Sequence, residues 1–343
     1  MASVVLDQLD TYGPQHCERL SYDQAAAYTQ QLAKSQYENF TVVSWLLPRH
    51  LRGDFCNIYA FCRWADDLGD ETGDTALNLE LLQWWRRELT ACYAGRPRHP
   101  VFIALEPTIR HHDIPRQPFD DLINAFVQDQ HVPRYDTWDQ VLDYCTRSAN
   151  PVGRLVLYLC GYRDERRQRL SDATCTALQL ANFWQDVRRD VIERGRVYVP
   201  QQIAAHHGFD IELMVSAIGA DAARMEACQS CSRASAVPLA SIHAILPAYR
   251  TTIRDLVNRT WPLFSEGRQL WPLVAADLRT DIKLFSYGGQ SVLRMIERLN
   301  YNTLETRPAL SRSAKIMLML RAVWAKLIPI SNGPITARDR SNG

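Results

Sequence analysis

Apolar residues recur at three- and four-residue spacing along nearly the whole chain, and no stretch alternates long enough to line one side of a sheet. The pattern predicts helices over Asp23–Gln36, Gly53–Asp70, Ala76–Tyr93, Val101–His111, Gln117–Gln130, Trp138–Cys160 and Ser171–Ile192. It continues through Ile211–Ala236, Pro238–Trp261, Trp271–Leu284, Gly289–Leu299 and Arg312–Leu327. Pro48, Gly95–Pro97, Pro115, Pro133, Gly161, Gly195, Gly208, Gly267 and Gly288–Gly289 fall between these spans as breakers. Ser171 with Asp172, and Thr137 with Gln140, read as helix starts. Arg196–Pro200 (RVYVP) is the one strand-like piece. The expected fold is all-α, with residues 21–330 as one helical domain, 1–20 as an N-terminal extension and 331–343 as a polar tail.

A chain of 343 residues with a formal net charge of +1 can bury a large core and lacks the basic excess of a nucleic-acid binder. The start, MASVVLDQLDTYGPQ, has neither the basic segment nor the apolar run of a signal peptide, and no stretch approaches the length of a membrane span. The 9 cysteines are scattered through apolar runs and read as thiols of a reducing cytoplasm. One CxxC, Cys228–Cys231, lacks the second half of a zinc site. No Gly-rich phosphate loop follows a strand. His111–His112 and His206–His207 read as helix-end residues, and Trp84–Trp85, Trp261 and Trp271 as packing anchors.

Two segments break the ordinary pattern of an amphipathic helix. In FCRWADDLGDE (Phe61–Glu71) the acids are concentrated at the end, and one helical stripe reads Tyr59, Arg63, Asp66, Asp70, with Asp67 and Glu71 on the adjoining face. In QLANFWQDVRRD (Gln179–Asp190) a second stripe reads Gln179, Asn182, Asp186, Asp190, opposite an apolar side of Leu180, Phe183, Trp184, Val187 and Val191. Carboxylates crowded on a helix that also buries aromatic residues repel one another and need cations. Hard oxygen ligands with room for waters and phosphates suit Mg²⁺, so the two stripes are expected to hold a diphosphate between two helices through metal bridges.

These segments carry a resemblance. Ile58–Glu71 resembles the first acidic motif of the squalene/phytoene synthase family, and Gln179–Asp190, followed by Gly195–Pro200, resembles the second. Tyr287-Gly-Gly, Ile296-Glu and Tyr301 are similar to that family as well, and the likeness runs from Tyr28 to Trp324. Glu38-Asn-Phe40 before Leu46-Leu-Pro48, with Ser148–Gly153, is most similar to its bacterial hydroxysqualene-forming branch, which serves hopanoid pathways. The chain departs from full squalene and phytoene synthases where Asn39-Phe40 replaces a Ser-Phe pair, and where Thr146 and Arg147 stand near a position usually held by tyrosine.

The resemblance implies an isoprenoid-synthase bundle around a deep apolar cavity, acting on presqualene diphosphate and releasing diphosphate. Asp66, Asp70, Asp186 and Asp190 are then the Mg²⁺ ligands, and Arg63 and Arg196 supplementary donors. Asn39, Gln179, Asn182, Tyr59 and Tyr198 orient substrate oxygens, while Arg147 and Asn150 place the water that quenches the cation. With water as the quencher, no NADPH is expected. Two rivals stand beside this reading: a full head-to-head synthase making squalene or phytoene from farnesyl or geranylgeranyl diphosphate, and a non-catalytic partner that binds isoprenoid diphosphate. The expected place is the cytoplasm, peripheral to the inner membrane, with functional coupling to a presqualene diphosphate synthase. Ala314–Ile330 either closes the bundle or lies on a membrane surface.

Overall fold

The computed structural model describes residues 5–36, 48–229 and 240–308. Among them the α-helices are α1 (Leu9–Tyr12), α2 (Tyr22–Gln36), α3 (Arg52–Asp70), α4 (Thr75–Tyr93), α5 (Pro100–His112), α6 (Gln117–Asp129) and α7 (Trp138–Ser148). They continue as α8 (Asn150–Leu159), α9 (Glu165–Arg194), α10 (Gln201–His206), α11 (Ile211–Gln229), α12 (Ala240–Gly267) and α13 (Ala276–Arg298). The described residues contain no strand. The all-α expectation therefore holds. The RVYVP segment runs extended but pairs with a loop, Val197 N–H donating to the Pro133 carbonyl at 2.9 Å.

Most expected spans match, and the exceptions have local causes. Trp138–Cys160 divides at Ala149, because Pro151 has no N–H to continue the ladder and is tolerated only in a first turn. The start expected at Ser171 lies seven residues inside α9; Asp164 caps that helix, accepting from Arg167 N–H, and Ser171 is buried. Thr137 and Gln140 do form the expected reciprocal capping box of α7. Gly288–Gly289 does not break the chain. It lies inside α13, where a methyl on Gly289 would stand 2.6 Å from Leu178 Cδ2 and from Phe264 Cζ, so the glycine admits a close helix crossing. The Arg312–Leu327 span, Ala314–Ile330 and the tail lie outside the described residues.

The apolar side chains form two main cores, and α9 belongs to the second. The first gathers α2 to α6, with Trp64 stacked on Trp85 at 5.4 Å and 10° and the His99 ring 4.3 Å from Trp64. Val5, Leu9 and Tyr12 of the N-terminal segment pack against this core, and Tyr28 Oη donates to Gln8. The second gathers α7 and α9 to α13 around Trp184, Tyr249 and Phe264, with Trp184 Nε1 donating to Thr260 Oγ1 at 3.0 Å. Helix α9 is about 45 Å long at 1.5 Å per residue and touches α8, α12 and α13 along its length. Its polar stripe is left at the seam with α3.

Cys17, Cys56, Cys62, Cys92, Cys145, Cys160 and Cys175 are free thiols, and Cys231 lies outside the described residues. No helix among the described residues is long and apolar enough to cross a membrane.

The α8–α9 crossing depends on Gly153, where a methyl would fall against Ser171 Oγ and 2.5 Å from Cys175 Sγ. Gly153→Ala is expected to destabilise the protein by about 1–3 kcal/mol through overpacking, measured as a lowered midpoint in urea at unchanged slope.

Candidate active site

Helix α3 is fixed by its apolar side. Phe61, Trp64 and Leu68 are fully buried, which turns Arg63, Asp66 and Asp70 toward the seam. Arg63 reaches Asp66 at 3.5 Å and also grips Asp67, which is buried although the periodicity put it on a neighbouring face. Asp70, its side chain 5% exposed, receives Arg194 at 3.2 Å and Arg196 at 2.8 Å. Both arginines follow the second acidic segment, so α3 and the end of α9 are cross-linked through Asp70.

The end of α9 is arranged by Gly195. Its φ of +63° belongs to the left-handed region that glycine enters without strain, and the chain reverses there, Arg196 N–H closing on the Asp190 carbonyl at 3.1 Å. The reversal sends the Arg196 guanidinium between Asp70 and Asp129, 3.3 Å from the latter. Tyr198 lies flat on Phe183 at 3.7 Å and 7° and stacks on Tyr144 and Tyr135. Tyr144 Oη donates to Asp129 at 2.8 Å. On α9 itself Asp186 and Asp190 are buried, and Asp186 is held by Arg307 through a fork of 2.5 and 3.1 Å.

Among the described residues positive charge is short at this seam. Asp66, Asp67, Asp70, Asp129, Asp186 and Asp190 outnumber Arg63, Arg194, Arg196 and Arg307. Burial at the seam raises the proton affinity of three of these acids. Burial, with the Asp70 charge added, pushes Asp66 up to about 6. Burial pushes Asp190 up to about 7, Arg194 pulling against it and Asp186 adding to it. Asp129 is likewise pushed up to about 7 by burial, against the pull of Arg196. Carboxylates that would rather hold a proton are suited to a hard divalent cation, which removes the same repulsion. No three ligating side chains among the described residues already converge on one metal position. The donor set fits Mg²⁺ chemically, as a site completed by oxygens of a ligand.

An apolar cavity of ≈ 230 Å³ lies along the same two helices, lined by Phe55 of α3, Gly153 of α8, Cys175 and Leu178 of α9, and Leu278 and Phe285 of α13, among others. From Phe55 to Asp66 and from Leu178 to Asp186 the helix rise is about 12–16 Å. Both helices therefore run from an apolar hollow to an acidic end.

The remaining sequence candidates are distributed as follows. Gln179 is half-buried and Asn182 exposed on the α9 stripe. Tyr59, half-buried, packs beside Ala33 and Cys56. Asn150 is buried at the start of α8, accepting from Thr176 Oγ1 at 2.9 Å. Arg147 bridges Asp143 and Gln128, tying α7 to α6. Asn39 lies outside the described residues.

Three participants were missed from sequence. Arg194 continues the Asp186–Asp190 stripe by four residues, so extending the same periodicity one turn finds it. Asp129 ends an ordinary amphipathic helix and Arg307 sits in a loop; neither has a local signal.

An all-α bundle with an apolar hollow leading to an acid- and arginine-lined end defines the class of helical isoprenoid synthases. Residues 33–314 match the squalene/phytoene synthase family model, and the chain belongs to that family. It is 35% identical over 185 residues to a hydroxysqualene synthase of Sinorhizobium fredii, a match covering 52% of this chain and 61% of the relative. It is 37% identical over 180 residues to the hydroxysqualene synthase of Rhodopseudomonas palustris, covering 51% and 59%. These matches thus span about three-fifths of the relatives' own length. The crystal structure of squalene synthase HpnC from Alicyclobacillus acidocaldarius is similar at 40% identity and a TM-score of 0.70, over 82% of this chain and 96% of that one. A dehydrosqualene synthase at 21% identity shares the fold, with a TM-score of 0.71 over 90% and 98% of the two chains.

The raised acids give a signed pH dependence. The folded chain retains protons that the unfolded chain releases between about pH 4 and 7, so their stabilisation is present at low pH and is lost as pH rises through 7. His99, buried and held well below its usual value, works oppositely, costing stability as pH falls below about 6.5. Comparing Asp129→Asn with wild type separates the two. In metal-free buffer, the gain in melting temperature on acidification from pH 8 to 6 should be smaller in the variant, by thermal unfolding at each pH.

Proposed function

We propose that the protein converts presqualene diphosphate to hydroxysqualene with release of diphosphate, as a Mg²⁺-dependent enzyme. The observation that supports this reading best is the cross-link of Asp70 by Arg194 and Arg196, which holds two acidic helix ends together above the apolar hollow. Hydroxysqualene synthases among the relatives support the product class.

In this reading Asp66, Asp70, Asp186 and Asp190 hold the metal, and when bound it supplies charge stabilisation for the departing diphosphate. Arg63, Arg194 and Arg196 face the same end and give directed donors to phosphate oxygens. Gln179 and Asn182 add amide donors from the α9 stripe. Tyr198, fixed by its stack on Phe183, orients oxygens at the mouth of the site, and Tyr59 does so from α3. The walls of the cavity shield the rearranging carbon skeleton from bulk water. Asn150, fixed by Thr176 three residues before Gly153 of the cavity wall, and Arg147, held by Asp143 and Gln128, place the quenching water. Coupling to an enzyme that supplies presqualene diphosphate, and a peripheral membrane location, belong to the same proposal.

A second reading, synthesis of squalene or phytoene from the C15 or C20 diphosphate, is favoured by the hydroxyl of Tyr144. It reaches Asp129 beside Arg196, and so brings a tyrosine to the site that the sequence left unplaced.

Incubation with presqualene diphosphate and Mg²⁺ without NADPH, followed by mass analysis, is expected to yield hydroxysqualene. Squalene formed only on adding NADPH overturns the water step, and turnover of farnesyl diphosphate alone selects the second reading. Asp186→Asn should lower kcat by at least about 100-fold, the scale of losing one stabilising group for developing charge, with diphosphate release as the assay. Unchanged release in that variant removes the metal assignment.

A further inference from the structure

Arg307 is absent from every motif in the sequence, yet its guanidinium takes both oxygens of Asp186, at 2.5 and 3.1 Å. The loop that carries it is anchored independently. Asn300 and Tyr301 turn the chain out of α13 in left-handed conformations, and Thr303 Oγ1 bonds Tyr249 Oη at 2.5 Å in the core. Leu304 is fully buried, the Leu304 carbonyl accepts from Arg188, and the Pro308 carbonyl accepts from Gln185. The anchor keeps Arg307 over α9 whether or not it is paired. The two ends of the ion pair differ: the Asp186 side chain is 6% exposed, whereas Arg307 is 50% exposed. The guanidinium can leave toward solvent; the carboxylate cannot.

The geometry points to Arg307 as a resident counter-cation that exchanges partners when the site fills. A bidentate fork occupies the lone pairs of Asp186 that a metal would use, so metal and Arg307 compete for the same two oxygens. The displaced guanidinium remains beside the site on its anchored loop, and a pyrophosphate anion arriving with the metal offers it a replacement partner of matching geometry. Metal alone therefore has to break an ion pair, whereas metal with pyrophosphate only rearranges charges. Binding of the two becomes cooperative, and by reciprocity each tightens the other by the same factor. This inference rests on the proposed assignment of Asp186 as a metal ligand and deepens it, making Arg307 a positioning residue for that ligand.

The test uses the full chain and reads binding rather than turnover. Mn²⁺ is titrated into wild type, Arg307→Gln and Arg307→Lys, with free Mn²⁺ followed by electron paramagnetic resonance. Arg307→Gln is expected to bind Mn²⁺ alone roughly 5–10-fold more tightly than wild type, within the usual range of coupling factors. Arg307→Lys, a point charge without the fork, should fall between them. In a second arm, the upward shift in melting temperature given by inorganic pyrophosphate at fixed Mg²⁺ should be smaller in Arg307→Gln than in wild type. Equal or weaker Mn²⁺ binding by Arg307→Gln, with its circular dichroism and ligand-free melting temperature unchanged, overturns the exchange while leaving the metal reading intact. Failure of every form to bind Mn²⁺ overturns both. If Arg307→Gln melts early, Arg307→Lys against wild type decides by the same criterion.

Discussion

The structure turns on a group of carboxyls drawn out of water that the described arginines meet only in part. Carboxyls from α3, α6 and α9 are brought to one seam, all but Asp66 buried there, and among the described residues fewer guanidiniums than acids meet them. Arg194 and Arg196 satisfy Asp70, Arg196 also reaches Asp129, and Asp190 and Asp66 are left with raised proton affinity. A fold optimised for stability alone would gain by replacing such a cluster with packed apolar side chains. Retaining it makes physical sense where a cation-borne anion is to be bound, because the cost of assembling the acids is met before the ligand arrives.

The apolar framework makes that arrangement rigid. Trp64 and Trp85 on one side of the seam, and Trp184 with Thr260 on the other, fix the rotation of α3 and α9 about their own axes. With the rotation fixed, every acidic residue on the two stripes has a determined direction. The same two helices carry the wall of the hollow toward their N-terminal ends. A substrate with a charged head and a long apolar body can thus lie along the helices, its two parts sorted by the composition of successive turns. Gly153 and Gly289 serve the same end, since the close approaches they permit bring α8 and α13 against α9.

The chain's family is shown, and the arginines of the acidic seam differ in how they are held. Arg194 and Arg196 tie helices together and are partly enclosed, whereas Arg307 reaches in from an anchored loop and is half open to solvent. Cations with different freedom at one acidic site can act at different moments of binding.

Most of the fold was legible in the chain because helix packing depends on which residues recur at 3.6-residue spacing, a property local to each segment. The stripes containing Asp66, Asp70, Asp186 and Asp190 could be drawn for the same reason, and Arg194 lay one turn further along a stripe already drawn. Ser171 was misread as a helix start because capping residues and buried small polar residues look alike until their surroundings are known. Gly288–Gly289 was misread as a break because a glycine needed for close helix contact has the same local signature as one that ends a helix. Asp129 and Arg307 could not be found at all: their partners are Arg196 and Asp186, 67 and 121 residues away. The chain by itself determined which surfaces are apolar and which are acidic. Only the tertiary structure decided which charges meet, because an electrostatic interaction depends on distance and burial, and neither is a property of neighbouring residues in sequence.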